Sequence, residues 1–105
     1  MIYCFDLDNT LCTTLGNDYE KSEPISNMIV KVNELYDAGH TILIYTARGM
    51  STYKGDVDAV YDAFYLFTKN QIKSWGIKHH KLQLGKPSYD VFIDDKNMLI
   101  NDFLG

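Results

Sequence analysis

The stretch "IYCFDLDNT", residues 2–10, decides how the chain reads. Its first part is a near-continuous apolar run, which predicts a strand over residues 1–7 in a central, parallel position, covered on both faces. Its second part carries two carboxylates, Asp6 and Asp8, with one residue between them. Side chains alternate along a strand, so these two point the same way and repel each other unless something positive lies between them. Charge of that kind at the carboxyl end of a buried strand falls where an open α/β sheet builds its ligand site.

Working outward, residues 9–21 are polar, contain a glycine and read as a loop. Ile25, Met28, Ile29, Val32, Leu35 and Tyr36 keep a 3.6-residue period, with Ser22 or Glu23 and Pro24 marking the start of a helix and Gly39 its end. The run "HTILIYTAR" (40–48) is rich in β-branched residues and predicts a second strand ending near Thr46. From Asp56 to Trp75 the positions Val57, Val60, Tyr61, Phe64, Thr68, Ile72 and Trp75 trace one helical face, and Gly76 stops it. A third strand is expected near "KLQL" (81–84), a fourth in "DVFID" (90–94), and a short closing helix around "NMLINDF" (97–103). Strand and helix alternate, which implies right-handed crossovers and a parallel sheet with helices on its faces.

At 105 residues the chain is expected to form one domain, residues 1–105, with no linker, repeat or low-complexity segment. Its 46% hydrophobic and 23% charged content is that of an ordinary globular protein. A net charge of −4 gives no basic field for a nucleic-acid backbone or an anionic membrane. Cys4 and Cys12 lie in no metal-ligand spacing and read as free thiols in a reducing compartment. The chain begins without a basic, then apolar, leader, and no segment reaches the ~18 apolar residues of a membrane span. A cytoplasmic setting is the expectation.

Four strand ends then carry the chemistry: Asp6 and Asp8 on the first, Thr46 followed by Arg48 on the second, Lys86 in "GKP" after the third, and Asp94 and Asp95 on the fourth. Taken singly these are a solvated pair, a cap, a surface lysine and a turn. Taken together they form a cluster of four carboxylates beside one lysine and one hydroxyl. Oxygen ligands without His or Cys select Mg²⁺ over zinc, and Lys86 and Thr46 suit an anionic phosphoryl group. Arg48, the only arginine, lies where its fork could hold a second anionic group of a substrate; the plain alternative is a surface arginine. Tyr53 and Lys54, with Asp56 on the same loop, are further candidates for sugar hydroxyl contacts. His79 and His80 have no further His or Cys nearby in sequence and read as core-edge or surface residues.

These residues, in this order, resemble the haloacid dehalogenase-type (HAD) phosphohydrolase superfamily: "YCFDLDNT" is similar to its first motif, "TILIYT" to its second, the Lys of "GKP" to its third and "VFIDD" to its fourth. Within that superfamily, "TARGMSTYKGD" and "LQLGKPSYDVFIDDK" resemble small phosphatases encoded with capsule and surface-polysaccharide biosynthesis genes. The resemblance implies a three-layer α/β/α fold, and the short gaps between motifs leave no room for a cap domain. It implies Asp6 as nucleophile forming an aspartyl-phosphate and Asp8 as general acid and base. Mg²⁺ would be held by Asp6, the Asp8 carbonyl and Asp95, with Asp94 in support, and Thr46 and Lys86 would bind the phosphoryl oxygens. With no cap, substrate selection would fall to loops or to a neighbouring subunit, so a homo-oligomer is allowed.

The expected activity is hydrolysis of a small sugar or polyol phosphomonoester. The enzymatic alternative is a nucleotide or polynucleotide-end phosphatase, which the acidic composition disfavours for polynucleotides. A non-catalytic HAD-like protein or a receiver-type signalling module ranks lower. A receiver places adjacent acids first and its phosphoacceptor Asp later, the reverse of the order here.

Overall fold

In the computed structural model, which describes residues 1–105, the apolar run becomes strand β1 (Ile2–Phe5). A small antiparallel ribbon follows, β2 (Cys12–Thr13) with β3 (Glu23–Pro24), enclosing one 3₁₀ turn at Tyr19–Lys21. Next come α1 (Ser26–Asp37), β4 (Thr41–Thr46), α2 (Val57–Ser74), β5 (Lys81–Leu84) and α3 (Ile100–Leu104). The main sheet is parallel, in the order β1-β4-β5, with Ile2 opposite Thr41, Phe5 and Leu82 both opposite Ile44, and Thr46 opposite Leu84.

The helices form where a polar cap or an apolar stripe favours them. Asp56 accepts the Ala59 N–H at 3.2 Å and so caps α2, whose Val60, Thr68 and Ile72 are buried. In α1 the buried stripe is Met28, Ile29 and Val32. The chain steps across the sheet in one direction, β1 to β4 to β5. Two right-handed crossovers in one direction place both helices on the same face. Burial agrees: along β4, Ile42, Ile44 and Thr46 are buried while Thr41, Leu43 and Tyr45 are half-buried. Phe5, Leu82 and Leu84 join the buried side, and α3 docks there too, its Phe103 ring meeting Phe5 edge-on at 5.3 Å. The Lys31 ammonium of α1 holds α3 by donating to the Phe103 carbonyl. On the opposite face Ile2 and Cys4 are exposed.

Four expectations are corrected. The first helix starts at Ser26 and not at Ser22 or Glu23, because Glu23 and Pro24 pair with Thr13 and Cys12 as a strand. The helices cover one face of the sheet, so the arrangement has two layers and not three. β1 is an edge strand bonded only to β4, not a central one. Residues 90–94 form no strand; the chain is irregular from Gly85 to Leu99 apart from turns. An alternating apolar segment becomes a strand only when an edge accepts it, and joining β1 in parallel needs a crossover of about a dozen residues or more. Only residues 85–89 separate the end of β5 from Asp90. No helix is long and apolar enough to cross a membrane.

Candidate functional site

At the end of β1 the chain makes a tight turn. The Leu7 carbonyl accepts N–H bonds from Thr10, Leu11 and Cys12 at 3.2, 2.8 and 3.3 Å. Asn9 sits at φ +62, a left-handed position that Asn tolerates better than most residues, and its side chain accepts the Thr14 N–H at 3.1 Å. Leu7, Leu11 and Cys12 are fully buried, so the turn hangs from the core while Asp6 and Asp8 face outward into a cleft. That cleft has a volume of about 290 Å³ and is mainly polar, with Asn17, Ser51, Lys86 and Ser88 on its walls and Tyr89 at one side.

Asp6 is the cleft's partly open carboxylate. Its Oδ2 accepts from the Thr10 hydroxyl at 3.3 Å, and the Lys86 Nζ lies 3.6 Å from Oδ1. Burial pushes the Asp6 carboxyl above its ordinary value, with Lys86 pulling the other way. Lys86 is placed by its backbone, whose N–H donates to the Thr46 carbonyl at 3.2 Å. Burial alone would lower its ammonium, but the Tyr89 side chain and the Asp6 carboxylate outweigh this and raise it. The lysine therefore stays a cation beside Asp6, flanked by the Tyr89 and Phe92 rings at 5.0 and 5.2 Å.

Asp8 is held differently. Arg48, with no exposed side-chain surface, donates to it through Nε at 3.0 and 3.2 Å and through Nη2 at 2.9 Å. The Thr14 hydroxyl adds a 2.6 Å bond to Oδ1, leaving Oδ2 with Nε as its one donor. The other end of the guanidinium reaches α2, donating to Gln71 Oε1 at 2.7 Å and Thr68 Oγ at 3.3 Å, and its face lies 4.8 Å from the Tyr19 ring centroid. Gly49, three residues past β4, donates to the Tyr19 hydroxyl at 3.2 Å. Its φ of +79 and the Phe64 ring, 2.6 Å from where a Cβ would sit, admit no side chain there.

The structure thus brings Asp6, Asp8, Arg48 and Lys86 into one cleft. Thr46 lies beneath it, 1% exposed, with its hydroxyl accepting the Arg48 N–H at 3.2 Å; it is not on the cleft wall. Arg48 does not offer its fork to a substrate, because a guanidinium buried so completely requires the partners it has. Tyr53 packs edge-on against Phe64, and Lys54, at φ +52, is exposed; neither lines the cleft. Asp94 and Asp95 are exposed and outside it. The Asp94 carboxyl is held below its ordinary value, first by the adjacent Asp95 side chain and then by the Lys96 N–H, which donates to it at 3.4 Å.

For Mg²⁺ the donor set within one chain is incomplete. No three Asp, Glu, His or Cys side chains are grouped to hold a metal ion, Asp94 and Asp95 lie outside the cleft, and Lys86 already sits against Asp6. Sequence reasoning did not single out Thr14, Tyr19 and Gln71, the residues that fix Asp8 and Arg48. Gln71 carried one signal, a polar residue three positions past Thr68 beside an apolar helical stripe.

No family model matches the chain, and no curated protein matches it. A crystal structure of a structural-genomics target from Vibrio cholerae, named without a function, is similar to it at a TM-score of 0.91 and 26% identity, over 98% of this chain and 86% of that one.

Proposed function

We propose that the protein is a phosphomonoesterase that carries the phosphoryl group on Asp6, in the manner of a capless HAD-type phosphatase, with a small sugar or polyol phosphate as substrate. The observation that carries this reading is the partly open Asp6 carboxylate on a polar cleft, steadied by Thr10 and set 3.6 Å from a lysine that remains cationic. Lys86 would bind a phosphoryl oxygen of the incoming dianion and offset charge as it transfers. Asp6 attacks phosphorus and the ester P–O bond breaks; the leaving oxygen takes a proton from Asp8. Water then attacks the aspartyl-phosphate, Asp8 takes its proton, and phosphate leaves with Asp6 restored. The less occupied Oδ2 is the oxygen of Asp8 suited to carry that proton, and Arg48 serves as a positioning residue that fixes the carboxylate.

The absence of a cap belongs to the same reading. Between Asp8 and Thr46 the chain holds only the ribbon, the 3₁₀ turn, α1 and β4, and between Thr46 and Lys86 only a loop, α2 and β5. A cleft of this size, with no lid over it, suits a compact phosphate ester more than a polymer end. The test is a panel of sugar, glycerol and nucleotide phosphates, assayed with and without added Mg²⁺ by phosphate release. Turnover of a small ester that D6N abolishes is the expected result; no turnover of any ester, or near-normal turnover by D6N, overturns the reading.

A further inference from the structure

Among the unpartnered surfaces of this chain, which include the outer edge of β5 with Tyr61 against its Leu84 end, two fit each other. The first is the outer edge of β1, whose backbone groups on that side pair with no strand, together with the bare sheet face carrying Ile2 and Cys4. The second is the segment that follows Lys86. Seven of the chain's fourteen exposed large hydrophobic residues fall between Tyr89 and Ile100, with Val91 73% and Ile93 91% exposed. Val91 and Ile93 alternate with Asp90, Phe92 and Asp94, a strand pattern lying outside any sheet. An open edge and an exposed strand-like apolar segment on one molecule are a pairing waiting for a second molecule.

We infer that residues 90–94 of one copy add to the outer edge of β1 of a second copy, in parallel, and that the exchange is reciprocal. The pairing within one molecule is closed off by chain length. A strand parallel to β1 must start at the amino end of the sheet, beyond both β4 and β1. Lys86 is pinned at the carboxyl end by its bond to Thr46, leaving residues 87–89 to make the return. An antiparallel strand in the same molecule could be reached, but it would carry Asp94 to the far end from Asp6. Only the segment of another copy can run parallel and finish beside the cleft. The hinge is short, the situation in which exchange between copies is favoured. At about 60–120 Å² per side chain, Val91, Phe92 and Ile93 from each copy cover about 360–720 Å² in a symmetric pair, and the β1 surfaces they land on add a comparable area, within reach of a stable interface.

The consequence for the site rests on the function proposed above. In the exchanged pair Asp94 and Asp95 of the second copy end beside Asp6 and Asp8, supplying the acidic groups that one chain does not bring to its own cleft. The site would then be complete only in the dimer.

The test reads the pairing apart from any activity. Light scattering of the purified full chain should give twice the 12.1 kDa mass, and I93D, at a position without contacts to lose in the monomer, should return it to one mass with unchanged circular dichroism. For the exchange itself, ¹⁵N-labelled wild-type chain is mixed with unlabelled C4S/I93C chain carrying a nitroxide at position 93. Broadening of the amides of residues 2–5 in the mixture is expected. A monomer at all concentrations, an I93D dimer, or broadening only when label and isotope share a chain overturns the inference. A monomer that hydrolyses phosphate esters would refute the exchange and spare the proposed function; an exchanged dimer without hydrolysis would do the reverse.

Discussion

Replacing Arg48 with methionine should cost this fold more than any other single change at the cleft. The side chain is wholly buried and makes three contacts to Asp8 and two to α2. Methionine fills much of the volume and removes every donor. Breaking a buried ion pair by deleting one partner costs about 3–5 kcal/mol, because the remaining charge stays desolvated. Asp8 keeps the Thr14 hydroxyl and 20% of its side-chain surface, which favours the lower end, about 3 kcal/mol. For a domain of this size that is a fall of roughly 12–24 °C in Tm, at ~4–8 °C per kcal/mol. The assay is urea and thermal unfolding followed by circular dichroism. R48M should also be compared with D8N and with the double variant, whose cost should fall short of the sum of the singles by about 2 kcal/mol or more. An R48M cost below about 1 kcal/mol, or additive singles, would show that the guanidinium is not the tie between the first turn and α2.

Three further outcomes follow from the same geometry. Because burial raises the Asp6 carboxyl, the folded state binds that proton more tightly than the unfolded chain; the stability it contributes is present below a pH of about 4 and lost as pH rises through the folded value. D6N should therefore have the higher Tm at pH 7, with the gap closing in acid; a D6N protein less stable at neutral pH would contradict this. G49A should lose roughly 2–5 kcal/mol, from ~1–2 of left-handed backbone strain and ~1–3 of collision with Phe64, and wild-type stability on unfolding would refute the contact. Cys4 is exposed and Cys12 buried, so iodoacetamide should modify one thiol in the native protein and the second only in denaturant, as mass spectrometry would show. Desolvation, only partial at Cys4, raises both thiols above their ordinary value, so even Cys4 should react slowly at neutral pH.

The elements that announced themselves in the sequence were those whose pattern finds its partner within the chain. The period through Met28, Ile29 and Val32, the run Thr41–Thr46 and the run Lys81–Leu84 each meet a neighbour, and each became the expected element. "DVFID" has an equally plain strand pattern and no edge within reach, so periodicity alone misplaces it. The same property hid the edge position of β1: an apolar run shows that burial is wanted, not which molecule supplies it. At the site, Asp6, Asp8 and Lys86 were readable because the carboxyl ends of parallel strands converge by topology. The role of Arg48 was not. Whether its fork faces a substrate or Asp8 depends on where Thr68, Gln71 and Tyr19 come to lie, and those contacts span 20 to 29 residues of chain.

The most direct test is to catch the phosphoryl group on its residue. Any small phosphate ester found to be hydrolysed should be mixed with the protein, quenched and reduced with borohydride, which converts an aspartyl-phosphate to homoserine, and the peptides sequenced by mass spectrometry. Homoserine at position 6 in the wild type and none in D6N is the expected result. Hydrolysis without any modification at Asp6, or with the label at another residue, would contradict the assignment of the nucleophile.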